Sequence, residues 1–337
     1  MSVITGTNWN AYDAATMTAR EIYGRTLAEM GKSNDKIVGL TADLEKTTAI
    51  IHFGEAFPDR FFNVGIAEQN MFGIAAGLAK AGLVPFASTM AVFACFRAGE
   101  QIRTDIAYQN LPVKIIATHA GISFGHAGTT HHCTEDFAIM RSIANMTVIC
   151  PADGVETSKA VQACVDVPGP VYIRIGRGFE PPCYESDDYV YEIGKAVTMR
   201  DGADLTIICC GIAVLQAANA AKTLAENDGL SVRVLNMHTI KPIDRDAILS
   251  AVTDTRRILT VEEHNIEGGL GDAVASVIAE SGKGCVFRKH GMKDEFSTIG
   301  YAEDLYAHYG FDANGIVDKV REMMGLEFEA DENWDDD

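Results

Sequence analysis

FFNVGIAEQNMFGIAAGLAKAG, residues 61–82, is the stretch on which the reading of the fold turns. It begins as a short apolar strand, passes a tight turn at Gly65 and continues as a helix. Glu68 falls in the first turn of that helix, at the positive end of the helix dipole, where a charged carboxylate is favoured. The face that follows is small: Gly73, Ala75, Ala76, Gly77 and Ala79. Small residues on a helix let another backbone approach closely. One reading is a capping carboxylate on a buried, Ala-rich helix. The other is an anion held where two surfaces meet. Residue types alone leave both open.

Outward from this stretch, apolar runs alternate with helical patterns. Strands are expected at 36–44, 84–90, 113–121, 146–153 and 170–177, and helices at 16–31, 47–57, 92–110, 135–144 and 154–166. Such alternation implies a parallel sheet covered on both faces. Residues 178–191 break the pattern with prolines and acids, which marks a boundary. Strands at 205–211, 232–237, 257–263 and 285–291 then alternate with helices at 212–226, 244–253, 270–281, 301–308 and 314–324. The expected class is α/β, with two tandem domains, each a mostly parallel sheet flanked by helices. The expected division is an N-terminal extension at 1–15, a first domain at 16–180, a linker at 181–192, a second domain at 193–325 and an acidic tail at 326–337.

A chain of 337 residues fits two domains at ~150 residues each. The net charge of −19 argues against nucleic acid or an anionic membrane as a partner. Part of that charge sits in the tail EFEADENWDDD, expected to be disordered and solubilising. No apolar run is long enough to span a bilayer, and the N-terminus lacks the pattern of a signal peptide. The eight cysteines show no CxxC spacing and read as reduced core residues of a cytoplasmic protein.

Ligands of open parallel sheets bind beyond the carboxyl ends of the strands. That rule puts Asp43, Glu68, the loop from His119 to Cys133, and Arg177 on one rim. His126, His131, His132 and Cys133 are neighbours in sequence with no second ligand cluster, so no metal is expected on them.

Seven strings then occur in order: TADLEKT at 41–47, FFNVGIAEQNM at 61–71, FASTMAVFACFRAGEQIRTD at 86–105, ATHAGISFGHAGTTHH at 117–132, IRIGRG at 173–178, MHTIKPID at 237–244 and VEEHNIEGGLGDA at 261–273. With them the chain resembles the C-terminal half of a transketolase over most of residues 16–325. The resemblance implies a pyrimidine-binding domain of the thiamine diphosphate-binding fold followed by a transketolase C-terminal domain. It implies that Glu68 hydrogen-bonds N1′ of the cofactor's aminopyrimidine, favouring the imino tautomer that deprotonates the thiazolium carbon. Phe93 and Phe96 match the aromatic segment that packs on the pyrimidine, Met90 stands where another aromatic is common, and Asp43 joins the cofactor contacts. The i, i+3 spacing of the two phenylalanines equally fits a helix core. His119 and His131 match histidines of the substrate channel. Arg20, Thr47 and Arg177 fall where transketolases hold the sugar phosphate, a task suited to the planar fork of arginine.

Two departures qualify the resemblance. Where many transketolases read Gly-Glu-Asp-Gly, this chain reads GHAG at 125–128, so Ala127 stands where the family aspartate recognises a sugar hydroxyl, with His126 beside it. A branched sugar phosphate such as an apulose phosphate, or a sulfosugar, then becomes a candidate substrate. The Gly-Asp-Gly and Asn pattern that ligates Mg²⁺ at the diphosphate is also missing. The expected assembly is therefore a split enzyme, a heterotetramer with an N-terminal subunit that carries the diphosphate domain and most of the Mg²⁺ ligation. The TIKPID and EGGLGD strings are expected to serve dimerisation, with His238 and His264 structural. Competing readings are the beta subunit of a thiamine-dependent 2-oxoacid dehydrogenase, a deoxyxylulose-phosphate synthase and a non-catalytic scaffold subunit.

Overall fold

The computed structural model describes residues 17–178, 180–184 and 188–325. The extension expected at 1–15 and the tail expected at 326–337 lie outside these residues, as does part of the linker. The first six strands are β1 (Ile37–Thr41), β2 (Phe61–Asn63), β3 (Val84–Met90), β4 (Lys114–Thr118), β5 (Thr147–Ile149) and β6 (Val171–Arg174). The next six are β7 (Val197–Arg200), β8 (Leu205–Cys209), β9 (Val232–Asn236), β10 (Thr239–Lys241), β11 (Arg257–Asn265) and β12 (Val286–Met292). They form a seven-stranded sheet in the order β10-β5-β6-β4-β3-β1-β2 and a five-stranded sheet in the order β12-β11-β8-β9-β7.

Both sheets are parallel except for one antiparallel edge strand each, β10 on β5 and β7 on β9. Strands β1, β4 and β8 are buried at every position, as expected of strands covered by helices on both faces. Each fully buried Ile or Val there contributes about 1.5–3 kcal/mol.

Two departures from the expected elements matter for the site. The segment read as one helix over 92–110 is wound as two π-helical pieces, Phe93–Arg97 and Ile102–Ala107, on either side of a break at Ala98. Wider winding moves residues three apart off a common face. Phe93 is consequently buried while Phe96 is 59% exposed, so the two do not fill one helix core. The second departure is β10, which leaves the second sheet's neighbourhood to extend the first sheet.

The VEEHN residues at the end of β11 also reach across. Glu263 Oε1 accepts from Ile122 N at 2.9 Å, Asn265 N donates to Thr134 O at 2.7 Å, and His264 Nε2 accepts from Phe137 N at 3.1 Å. Arg174, buried at the end of β6, donates to Asp136 Oδ2 at 2.9 Å and to Glu263 O at 2.6 Å. These VEEHN contacts, with TIKPID as β10 on the first sheet and Gly269 O of EGGLGD accepting from Arg141 Nη1 at 2.9 Å, fasten the two sheets to each other within one chain. Burial pushes the Glu262 and Glu263 carboxyls up to about 7.

Candidate active site

The strand order sets the site. Neighbouring parallel strands β6, β4, β3, β1 and β2 end on one rim, and Arg177, His119, Met90, Asp43 and Glu68 follow or close them in that spatial order. Met90 pairs in register with Thr118, so the end of β3 lies beside His119.

Glu68 opens the helix Glu68–Lys80, which has no side-chain cap bond. Its carboxylate is buried and accepts from Arg97 Nη1 at 3.0 Å. The capping reading is therefore replaced by an ion pair. The Arg97 guanidinium also lies 3.6 Å over the Phe93 ring. The turn that precedes Glu68 is organised by Asn63, whose Oδ1 accepts from Asp43 N at 3.1 Å and Gly65 N at 3.0 Å. Asp43 adopts φ 62°, uncommon without glycine but tolerated by Asp.

Phe93 meets the His131 ring edge-on at 5.7 Å, and His131 meets Phe124 at 5.6 Å. Phe124 is a hub: His119 at 4.7 Å and His126 at 5.4 Å approach its ring edge-on, and the Arg177 guanidinium lies 4.9 Å over it. A continuous line of contacts therefore runs from Glu68 through Arg97, Phe93, His131 and Phe124 to Arg177.

His119 is buried at φ 59°, with Nδ1 2.9 Å from Thr118 Oγ1. Burial, then the charges of Arg20 and Arg177 and the nearby His131, push its pKa down to about 3, so the ring is neutral at working pH. Arg20 is half-buried and donates from Nη1 to Thr47 O at 2.7 Å. Burial, followed by the charge of Arg177, lowers the Arg20 pKa. Two guanidiniums close enough to repel thus lie beside a neutral imidazole, with Glu21 and Glu180 partly offsetting their charge at Arg20.

Among the sequence-predicted residues, Asp43, on the exposed turn, and Phe96 stand outside this line of contacts, as do Met90 at the end of β3 and the Arg20–Thr47 pair. Ala127 sits in a short turn, Gly125–Ala127, with its N–H donating to Phe124 O at 3.0 Å. His132 is buried and bonded to Ser297 and Gly125. Among the described residues, no group of three or more His, Cys, Asp or Glu could hold a metal ion.

The model of the transketolase pyrimidine-binding domain matches residues 15–179, and that of the transketolase C-terminal domain matches residues 194–316. The chain belongs to the transketolase family. A Methanocaldococcus jannaschii protein, provisionally described as a transketolase C-terminal section, is 45% identical over 91% of this chain and 96% of its own length. One of the subunits of the apulose-4-phosphate transketolase of Phocaeicola vulgatus is 39% identical over 91% of this chain and 98% of its own. A solved structure described as a split gene transketolase, an inactive beta4 tetramer, superposes with a TM-score of 0.84 at 43% identity and covers 93% of this chain and all of that one. These likenesses favour the split-transketolase reading over the 2-oxoacid dehydrogenase.

In this transketolase-family chain, sequence reading missed Arg97, Phe124 and Asn63. Arg97 and Phe124 lie within strings quoted for the resemblance, but neither has a periodicity or spacing that marks it. Asn63 precedes Gly65 by two residues, a turn signal that could have found it.

Proposed function

We propose that this chain is one subunit of a split transketolase, a transferase of the EC 2.2.1 class, which moves a two-carbon ketol unit between sugar phosphates in the cytoplasm. The observation that carries this reading is the line of contacts from the buried Glu68 to Arg177 along one sheet rim.

The residues fit thiamine diphosphate. Glu68 is a buried carboxylate whose partner among the described residues is the single guanidinium of Arg97, which leaves it able to exchange a proton with a ring nitrogen. Phe93 is an apolar surface joined to it through Arg97, Met90 would add another from the end of β3 beside His119, and Asp43 and Phe96 are exposed for contact where two chains would meet. The bound cofactor supplies an electron sink for the two-carbon carbanion. Arg177 and Arg20, with Thr47, would hold the sugar phosphate, since guanidiniums bind phosphate oxygens in pairs. His119, neutral and buried, and His131 would hydrogen-bond the sugar and hold or move a proton at its oxygens. His126 and Ala127 would contact its distinguishing hydroxyls.

The diphosphate domain and the Mg²⁺ ligands are assigned to a partner chain, in a heterotetramer of two copies of each. Ala75, Ala76 and Ala79 of the Glu68 helix pack into this chain's own core, so the side that would meet the same helix of a second copy is that of Gly73 and Gly77. The Phocaeicola vulgatus relative supports a branched substrate. Co-expression with the partner chain, thiamine diphosphate and Mg²⁺, screened on unbranched, branched and sulfonated ketoses, tests the reading. Turnover is expected only with both chains present. Robust turnover by this chain alone would overturn the split assignment.

A further inference from the structure

Residues 293–301, KDEFSTIGY, link β12 to the helix Ala302–His308 in the second half of the chain. Phe296, Ile299 and Tyr301 are exposed, yet Ser297 between them is buried. Its Oγ lies 2.5 Å from His132 Nδ1, and its carbonyl accepts from Thr129 Oγ1 at 2.8 Å. His132 Nε2 lies 3.1 Å from Gly125 O. A carbonyl only accepts, so Nε2 carries the proton. Burial lowers the His132 pKa, which keeps the ring neutral. Nδ1 must then accept from the Ser297 hydroxyl. One neutral imidazole with a fixed tautomer thus bridges Ser297 to the GHAG turn.

The glycines of that turn report the same contact. A Cβ on Gly125 would lie 2.6 Å from Gly300 O, and one on Gly128 would lie 2.8 Å from Ile299 Cγ1. Both also have positive φ, at 40° and 72°. At its base the loop is closed by reciprocal Gly121–Cys133 backbone bonds of 2.9 Å. Its base is held by the first sheet and its turn by segment 293–301. His126 and His131, carried on that loop, face Phe124.

We propose that segment 293–301, acting through Ser297 and His132, sets the shape of the 125–131 loop and so selects which sugar the site accepts. Ser297 and His132 are positioning residues, and the proposal rests on the transketolase reading above. The second domain then has a part in specificity and does more than join subunits. A contact that only fastened the domains would, when lost, weaken the fold and lower turnover of every sugar alike.

The test uses the reconstituted two-chain enzyme with Ser297→Ala, Ser297→Thr and Thr129→Val. Thr129 is exposed, so its variant keeps the question open should Ser297→Ala fail to fold. Ser297→Ala is expected to change the ratio of kcat/KM between an unbranched and a branched ketose phosphate about 10-fold, through KM, with kcat on the better substrate changed less than about 2-fold. Ser297→Thr restores the ratio, and Thr129→Val shifts it in the same direction as Ser297→Ala. Histidine ring spectra of this chain alone give a second readout: Ser297→Ala moves the His126 and His131 signals. An unchanged ratio, or unmoved His126 and His131 signals, overturns the proposal. Should the wild-type pair turn over no ketose phosphate, the functional reading fails, and the histidine signals still decide whether Ser297 shapes the loop.

Discussion

Arg97 Nη1 lies 3.0 Å from Glu68 Oε1, and the same guanidinium covers the Phe93 ring at 3.6 Å. A single arginine therefore orients both the acid and the aromatic that the proposed cofactor would need. The acid is buried and the arginine side chain is half exposed, so the pair lies at a boundary between core and open surface.

The first prediction concerns that acid. Replacing Glu68 by Ala should lower kcat of the reconstituted enzyme by at least about 100-fold, the scale of a lost proton-transfer group. The isolated variant should keep its fold, because the bond of the Glu68 carboxylate goes to the half-exposed Arg97 side chain and not to the backbone of its own helix. Turnover unchanged from wild type would favour the scaffold reading.

A second prediction separates the pair from the chemistry. Arg97→Met leaves the buried Glu68 carboxylate without its ion partner. The expected loss of stability is about 1 kcal/mol, modest because half of the Arg97 side chain faces water. Adding Glu68→Gln should recover most of it, since no buried charge then remains. Urea unfolding of the four proteins of this double-mutant cycle measures the coupling, and strictly additive losses would count against a direct pair.

The third prediction concerns phosphate. Arg177→Gln should raise KM for a phosphorylated ketose about 10-fold or more while leaving an unphosphorylated analogue nearly unaffected. Arg20→Gln should act in the same sense with a smaller effect, because Arg20 already donates to Thr47 O. Equal losses on both sugars would show that the two arginines serve the fold.

The pH dependence of stability gives a fourth. His119 titrates near 3 in the folded chain against about 6.5 unfolded, so between those values the unfolded state binds more protons. Its contribution is complete above about 6.5 and is lost as the pH falls. Buried Glu156, Glu180, Glu262 and Glu263, pushed up to about 7, act oppositely: they favour the fold as the pH drops below about 7. His132, His238, His264 and His290, also pushed down by burial, act in the same sense as His119, and the whole-chain slope is the balance of the two sets. His119→Asn isolates the histidine, and its unfolding free energy should fall less than wild type between pH 7.0 and 5.5. A parallel fall would mean that His119 is not held neutral.

Much of this site was legible because the parallel strands announce themselves. KIIAT and LTIIC are apolar at most positions and buried at all, and the rim residues follow their ends by a rule of topology. The short edge strands β7 and β10 were not legible, since the alternation in VTMR and TIK spans only four and three residues, too short to mark a strand. The π-winding of Phe93–Arg97 was hidden for a different reason: apolar spacing at 92–110 is compatible with an ordinary helix and does not distinguish the wider winding. Phe124 escaped because an aromatic in a glycine and histidine loop belongs to no periodic pattern. Its role as hub comes from His119, His126, His131 and Arg177 arriving from separate turns of the chain. Ser297 lies 165 residues from His132, and no local signal joins them.

The last prediction returns to the helix Glu68–Lys80. A Cβ placed on Gly73 or Gly77 would meet nothing within 4 Å among the described residues, whereas Ala75, Ala76 and Ala79 pack into the core. The two glycines are therefore not required by any contact among the described residues, and in mid-helix each costs about 1 kcal/mol relative to Ala. A close-packed interface with a second copy would account for them. Gly73→Leu should then leave the isolated chain folded, with urea stability equal to or above wild type, while weakening self-association and cofactor-dependent turnover together. Sedimentation velocity over a concentration series measures the first effect. Oligomers as tight as wild type in both Gly73→Leu and Gly77→Leu would place the contact between copies elsewhere and leave the small face of this helix unexplained.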